Sequence, residues 1–166
     1  NGGTATSDVT FTVETTELTL PESTRTGYTF AGWFTAAEGG SKVEVTDILS
    51  KLENQTYYAQ WTANTYTVSF NSNGGTGGQA ENVTATYDQS MPAISTEAPI
   101  KIDYTFAGWW DAITGGTQYY DANGASVKTW DKESDTTLYA RWVANNRTVS
   151  FDANGGNGGQ TEDVIA

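Results

Sequence analysis

Apolar and polar residues alternate along this chain in short runs, and the period of two points to strands. In residues 8–13, Val9, Phe11 and Val13 share one face, and in residues 82–87 Val83, Ala85 and Tyr87 do the same. Tyr28 and Phe30 alternate with small or polar neighbours until Gly32 interrupts just before Trp33. A glycine inside a strand pattern predicts a bulge or a close backbone approach, here with an indole laid across it. Further strands are predicted over residues 56–61 and 137–142, and over 66–70, where Tyr66, Val68 and Phe70 share a face. A helical spacing occurs in residues 46–52, with Ile48, Leu49 and Leu52 on one side and Asp47 as its cap. Residues 119–131 read as a turn at Asn123-Gly124 followed by one helical turn through Val127 and Trp130. Pro21, Pro92 and Pro99 keep the linkers around them at an edge or outside the sheet, because proline has no ladder donor. Each complete period is therefore about four strands with at most one short helix.

The pattern repeats. Tyr-Thr-Phe-Ala-Gly-Trp occurs at residues 28–33 and 104–109, and Tyr-Ala-Gln-Trp at 58–61 returns as Tyr-Ala-Arg-Trp at 139–142. Thr-Val-Ser-Phe follows at 67–70 and 148–151, each time leading into Asn-Gly-Gly. The closing words are 81 residues apart and the opening words 76, so the second copy carries five extra residues between them. Self-similarity at such a period signals a repeat architecture. The expected division is a first repeat at residues 1–64 without its leading strand, a complete second repeat at 65–145, and the first strand and glycine-rich loop of a third at 146–166. On this reading the chain is an excerpt of a longer array. The spare strand at 147–151 is expected to pair with the open sheet of the first repeat in a neighbouring molecule, since an unpaired sheet edge is a template for association.

Composition narrows the chemistry. There is no Cys in 166 residues, so no disulfide supports these small modules; 6 Trp, 9 Tyr and 6 Phe must supply the core. Eight basic against 20 acidic residues give a net charge of −12, which argues against nucleic acid as a partner. No apolar run approaches the ~20 residues of a membrane-spanning helix. The absence of His and Cys removes imidazole acid–base chemistry, thiol nucleophiles and most transition-metal sites. The carboxylates do not recur in register between the copies, so no catalytic pair is nominated and no cofactor or metal is expected. Residues 152–159 have the look of a glycine- and Asp-rich calcium loop but carry a single carboxylate, and the matching loop from Asn71 carries none, which favours a turn.

The aromatics offer the remaining candidates. Trp33 with Trp109, and Trp61 with Trp142, occupy matched positions and read as core. Trp110 aligns with Phe34. Trp130 has no counterpart, and Tyr119-Tyr120 align with Val43-Glu44. Two readings stand for Trp130, Tyr119, Tyr120 and Trp110: they pack beneath the five-residue excursion, or they are exposed and stack on a sugar or anchor a host surface protein.

The ordered words Thr-Val-Ser-Phe, Asn-Gly-Gly, Gly-Tyr-Thr-Phe-Ala-Gly-Trp (residues 27–33) and Tyr-Ala-Gln/Arg-Trp resemble the Listeria–Bacteroides repeat, also called the internalin B repeat, over essentially the whole chain. The resemblance implies a β-rich α+β fold: tandem small β-grasp-like modules, each a mostly antiparallel sheet of about four strands with at most one short helix. It also implies arrays in extracellular or cell-surface bacterial proteins, set between a ligand-binding domain and a wall anchor, with no catalytic residues. The expected function is a non-catalytic spacer of an adhesin or secreted protein, its partners being adjacent repeats of the same chain. The alternative is a glycan- or host-protein-binding module. Asp103 stands where the first copy has Gly27, and this puts an identical turn before the strand in question.

Overall fold

The computed structural model describes residues 2–51, 53–156 and 164–165. Leu52 and residues 157–159 of the last glycine loop, both part of the sequence reading, lie outside the described residues. The elements in order are β1 (Tyr28–Phe34), α1 (Val45–Leu49), β2 (Tyr58–Ala63), β3 (Thr65–Asn71), β4 (Val83–Thr86), β5 (Tyr104–Trp110), β6 (Gln118–Tyr120), β7 (Thr136–Ala144), β8 (Thr148–Val149) and β9 (Val164–Ile165). The fold is β-rich with one short helix, as the period-two patterning predicts. Two compact units divide the chain. Unit 1 comprises Asn1–Val68, Val83–Pro92 and Thr129–Thr136; unit 2 comprises Ser69–Asn82, Ala93–Lys128 and Thr137–Ala166. The chain thus changes unit in the middle of β3.

In unit 1, β1 and β2 pair antiparallel, with Tyr28 opposite Ala63 and Phe34 opposite Tyr58. The register slips between Phe30 and Gly32, the predicted bulge. Gly32 adopts φ +125°, and a Cβ there would lie 2.7 Å from Lys42 Cε, so a lysine stem rather than an indole crosses this glycine. The bulge turns Phe30 and Trp33 toward each other, ring centroids 5.5 Å apart and edge to face, and Trp61 closes the trio 5.3 Å from Phe30. Val43 and Ile48 are buried alongside them in the unit. Helix α1 is one turn long. Asp47 sits at its third position, not at the cap, and its carboxylate accepts the Glu44 backbone N–H at 3.0 Å.

Residues 8–13 are not a strand, although their pattern matches that of β4. The difference is in the partner. β4 is held by β3, with Tyr66 opposite Ala85 and Val68 opposite Val83, and Val68 and Ala85 are fully buried. Among the described residues no strand pairs with residues 8–13, and alternation alone does not satisfy a strand's backbone groups. Residues 129–130 also join unit 1. The Asp88 N–H donates to the Trp130 carbonyl at 2.8 Å and the Trp130 N–H to the Gln89 carbonyl at 2.9 Å. These bonds hold Trp130 extended, so the helical turn expected through Val127 and Trp130 does not form.

Unit 2 repeats the design. β5 pairs with β7 from Tyr104–Ala144 to Trp110–Tyr139, with the same slip between Phe106 and Gly108. Gly108 has φ +124°, and here the Tyr120 carbonyl oxygen lies 2.3 Å from where a Cβ would stand. Phe106 lies 5.4 Å from Trp109 and 5.6 Å from Trp142, reproducing the first trio. β6 extends the sheet beyond β5, pairing Tyr120 with Trp109. On the other side of β7 lies the end of β3, with the Ser69 and Thr137 hydroxyls 2.8 Å apart. Phe70 thereby reaches Trp109 edge to face at 5.1 Å. β8 and β9 pair with each other, Thr148 opposite Ile165 and Val149 opposite Val164, so the strand read as spare is paired within its own chain.

Matched side chains perform matched tasks. Thr29 donates to Asn64 Oδ1 and Thr105 to Asn145 Oδ1, both at 2.6 Å. Gln60 Nε2 donates to the carbonyls of Ala36 and Gly39 across one Gly-Gly turn, and Arg141 Nη2 to those of Ala112 and Gly115 across the other. The variable position of the closing word is therefore a donor to the turn in both copies. Asp103 keeps the left-handed conformation of Gly27, at φ +61° against +75°, so the turn before the strand is the same in both. What crosses it differs. The Tyr87 ring lies 2.2 Å from the place of a Gly27 Cβ, while Asp103 has its own Cβ and pairs with Arg147.

The indole of the closing word lies over the second glycine of Asn-Gly-Gly: a Cβ on Gly75 would stand 2.4 Å from Trp142 Cζ2. Gly75→Ala is therefore expected to cost about 1–3 kcal/mol in urea unfolding. Gly156→Ala, at the same repeat position but with only the Ala153 carbonyl nearby at 3.1 Å, should cost far less. Equal effects would show that the indole does not set the constraint.

Candidate functional site

Of the four nominated aromatics, Tyr119, Tyr120 and Trp130 are 0% exposed. Trp110 is half-buried, and the Arg141 guanidinium lies over its ring at 5.0 Å. Trp130 belongs to unit 1 and the other three to unit 2. They do not form the exposed aromatic surface that stacking on a sugar requires. Their burial follows from the strand register. Tyr119 takes the interior place that Val43 holds in the first copy, and Tyr120, opposite Trp109, packs 6.0 Å from Phe70. The five-residue excursion then turns away through residues 121–124, where Asp121 accepts the backbone N–H groups of Asn123 and Ala125 at 2.8 Å each. Val127 donates back to the Tyr119 carbonyl at 3.0 Å. Burial raises the Tyr120 hydroxyl pKa above the usual tyrosine value.

The glycine loop from Asp152 repeats the turn from Asn71. Asp152 accepts the Asn154 N–H at 2.8 Å, as Asn71 accepts that of Asn73 at 2.8 Å, and Asn154 and Asn73 share left-handed φ values of 47° and 49°. The carboxylate thus does what an amide oxygen does in the other copy. Among the described residues no group of three or more acidic side chains is placed to hold a metal ion.

Two open features lie in unit 1, and sequence reasoning nominated neither. The smaller is a polar hollow of about 460 Å³ bordered by Arg25, Tyr28, Tyr87 and Asp88. The Arg25 guanidinium stacks 3.7 Å over Tyr28, whose hydroxyl donates to Asp88 at 3.2 Å. The Tyr87 hydroxyl has a raised pKa, from loss of water first and then from the negative charges of Glu133, Asp88 and Asp131.

The larger is a groove of about 830 Å³ with a mixed lining: Val9, Phe11, Leu18, Leu20, Trp33 and Ile48 stand among polar residues such as Asp8, Lys51 and Glu53. Trp33 is half-buried here, its Nε1–H donating to the Pro21 carbonyl at 2.8 Å, whereas Trp109 at the matched position is only 2% exposed. The difference is Phe70, which covers Trp109 and has no counterpart on Trp33 among the described residues. Val9, 42% exposed, and Val13, 86% exposed, stand at the groove with their strand pattern unused.

Comparison with known proteins places these features in context. The Listeria-Bacteroides repeat domain matches residues 1–60 and again 66–141. Internalin H of Listeria monocytogenes is 37% identical over 129 residues, covering 78% of this chain and 21% of that protein. Two Evansella cellulosilytica proteins described as membrane proteins, one of them Gly-rich, are each 36% identical, covering 80% and 94% of this chain and 16% and 22% of their own lengths. The chain thus spans about a fifth of the length of these curated relatives. No solved structure matches it significantly.

With three of the nominated side chains interior, their substitution reads out as stability. Trp130→Ala is expected to cost about 3–5 kcal/mol in urea unfolding. For Tyr120 the folded-state pKa is raised, so the unfolded chain releases this proton more readily. Its contribution is intact below the ordinary tyrosine value of about 10 and falls as pH rises from there toward the raised folded value. Unfolding midpoints should drop across that alkaline range, less steeply in Tyr120→Phe; parallel curves would place the Tyr120 hydroxyl in water.

Proposed function

The chain belongs to the Listeria-Bacteroides repeat domain family, and on that premise we propose that it is a non-catalytic spacer of a bacterial cell-surface protein. One observation carries this reading. Both copies commit the same aromatics, Phe30/Trp33/Trp61 and Phe106/Trp109/Trp142, to the same internal scaffold, at centroid distances that differ by 0.3 Å or less. What recurs is a core and its turns; among the described residues no reactive cluster recurs with them. A module selected for repetition needs that and nothing more, because its product is length.

The relatives support a surface setting: one is an internalin and two are described as membrane proteins. Among the described residues no helix is long and apolar enough to cross a membrane. We place the chain on the extracellular side, between a functional head and an anchor supplied by other parts of the protein. The net charge of −12 fits this role, because modules of one sign repel and stay dispersed. Recognition of a glycan or host protein through Trp130, Tyr119, Tyr120 and Trp110 draws no support from their burial.

The test is to display a reporter head on a bacterial surface through one, two or three copies of the chain. Accessibility of the head to a large antibody should rise with copy number, while the chain itself shows no saturable binding to a glycan array or host-cell surface proteins. Accessibility independent of copy number, or saturable binding by the folded chain, would sink the spacer reading.

A further inference from the structure

We propose that the pairing of β3 with β7 is a mechanical clamp, and that a further function of the repeat is to carry tension along the array. The proposal deepens the spacer reading and rests on it for the source of the force, because a spacer between a held head and an anchor is pulled at both ends. The features that carry it are interior to the chain.

The two strands run side by side in one direction. β3 and β7 are hydrogen-bonded neighbours in the sheet. Within unit 2 the Ser69 and Thr137 hydroxyls meet at 2.8 Å, and further on Asn73 Nδ2 donates to the Ala140 carbonyl at 3.1 Å. Within unit 1 the Thr67 N–H donates to the Asp135 carboxylate at 2.7 Å, just before β7 begins. The partner's number rises with the residue's own, so the strands are parallel. β3 opens the second copy and β7 closes it. Tension along the chain therefore enters at the N-terminal end of β3 and leaves at the C-terminal end of β7. In parallel neighbours these are opposite ends of the pair, so the pull slides one strand along the other. The bonds between them run largely across the pull and are strained together rather than one at a time. β5 and β6 lie beyond β7 in the sheet and outside this direct path.

Side chains bolt the pair. Trp142 on β7 donates its Nε1–H to the carbonyls of Ser72 and Asn73, just beyond β3, at 3.1 Å each. Phe70, near the end of β3, packs edge to face on Trp109 at 5.1 Å. Sliding β3 along β7 breaks these contacts as well as the ladder. The joints between copies are held too. A single residue, Asn64, separates β2 from β3. Its N–H donates to the Gly27 carbonyl and its own carbonyl accepts the Tyr87 N–H, both at 2.9 Å, while its Oδ1 accepts the Thr29 hydroxyl at 2.6 Å. Asn145, just after β7, is held in the same way, its N–H donating to the Asp103 carbonyl at 2.9 Å and its Oδ1 accepting the Thr105 hydroxyl at 2.6 Å. Flexible linkers lengthen under small forces because they are coils. Here the closing strand of one copy passes its load to the opening strand of the next with no slack between them, which leaves the clamp to set the resistance.

Single-molecule force spectroscopy on the full chain tests this. The chain has no Cys, so two engineered cysteines define the pulling points. Thr65, Ser134 and Val143 are exposed, at the start of β3, just before β7 and near the end of β7. Thr65→Cys with Val143→Cys pulls the clamp in shear. Thr65→Cys with Ser134→Cys peels the same two strands apart from one end. Both variants should keep the circular dichroism spectrum of the parent chain. Forced unfolding is governed by the barrier along the direction pulled, so at one loading rate the shear pair should hold to roughly twofold higher force or more. It should then release residues 65–143 in one step. Equal forces in the two geometries, or stepwise lengthening of the shear pair before its main rupture, would overturn the clamp. Neither outcome bears on the spacer test, because accessibility of a displayed head depends on the length of the array and not on its resistance to force.

Discussion

The contact on which each repeat depends is an indole laid on a glycine. The Trp of the closing word lies over the second glycine of Asn-Gly-Gly, Trp61 on Gly3 and Trp142 on Gly75, at distances that leave no room for a methyl group. The same indole meets Phe30 or Phe106 on its other side, and that Phe is turned toward it by the bulge at Gly32 or Gly108. Two glycines and three aromatics, scattered over the repeat in sequence, thereby become one object. Modules of this size without disulfides have few other means of holding their ends together. The loop that begins a copy is also pinned: Thr4 donates to Thr24 and Thr76 to Ile100, both at 2.8 Å.

Much of this was legible from residues alone. Alternation gave most of the strands, and the Gly39-Gly40 and Gly115-Gly116 pairs that turn the chain after β1 and β5 stand at matching places in the two copies, all four glycines at positive φ. The glycine before Trp33 announced a bulge, but not what would cross it, because a close approach is visible in sequence only from the side that makes room. The strand expected at residues 8–13 and the helical turn expected at Trp130 failed for a shared reason. Local pattern says what a segment would do if partnered, and the partner is a tertiary fact. Residues 9–12 and β4 carry similar alternation and differ in whether a β3 lies beside them.

The candidate site was legible in a different way. A residue without a counterpart in the other copy is easily taken as functional, and Trp130, Tyr119 and Tyr120 drew attention on that ground. Divergence between repeats has a simpler physical source. The second copy turns out of β6 through a loop at Asp121, where the first enters α1, and the larger side chains fill the space that this change opens. The more informative asymmetry is the reverse one, a position kept in both copies whose surroundings differ. Trp33 and Trp109 are the same residue in the same bulge, one half-buried and one enclosed. Sequence identity made the comparison possible, and only the structure made it visible.

The position shared by Gly27 and Asp103 shows how one backbone can serve two kinds of attachment. Both residues sit in a left-handed turn whose carbonyl accepts from the Asn after the closing strand, Asn64 or Asn145, at 2.9 Å. At Gly27 the absent side chain lets the Tyr87 ring lie on the backbone, where it also meets Tyr28 edge to face at 5.7 Å. That attachment is apolar and indifferent to salt. At Asp103 the side chain reaches instead to Arg147, and both partners are more than half exposed. An exposed pair of this kind contributes little and is screened by ions. The same turn thus carries two unlike attachments: Gly27 receives Tyr87, just after β4, by apolar contact, while Asp103 accepts a charged hydrogen bond from Arg147, just after β7.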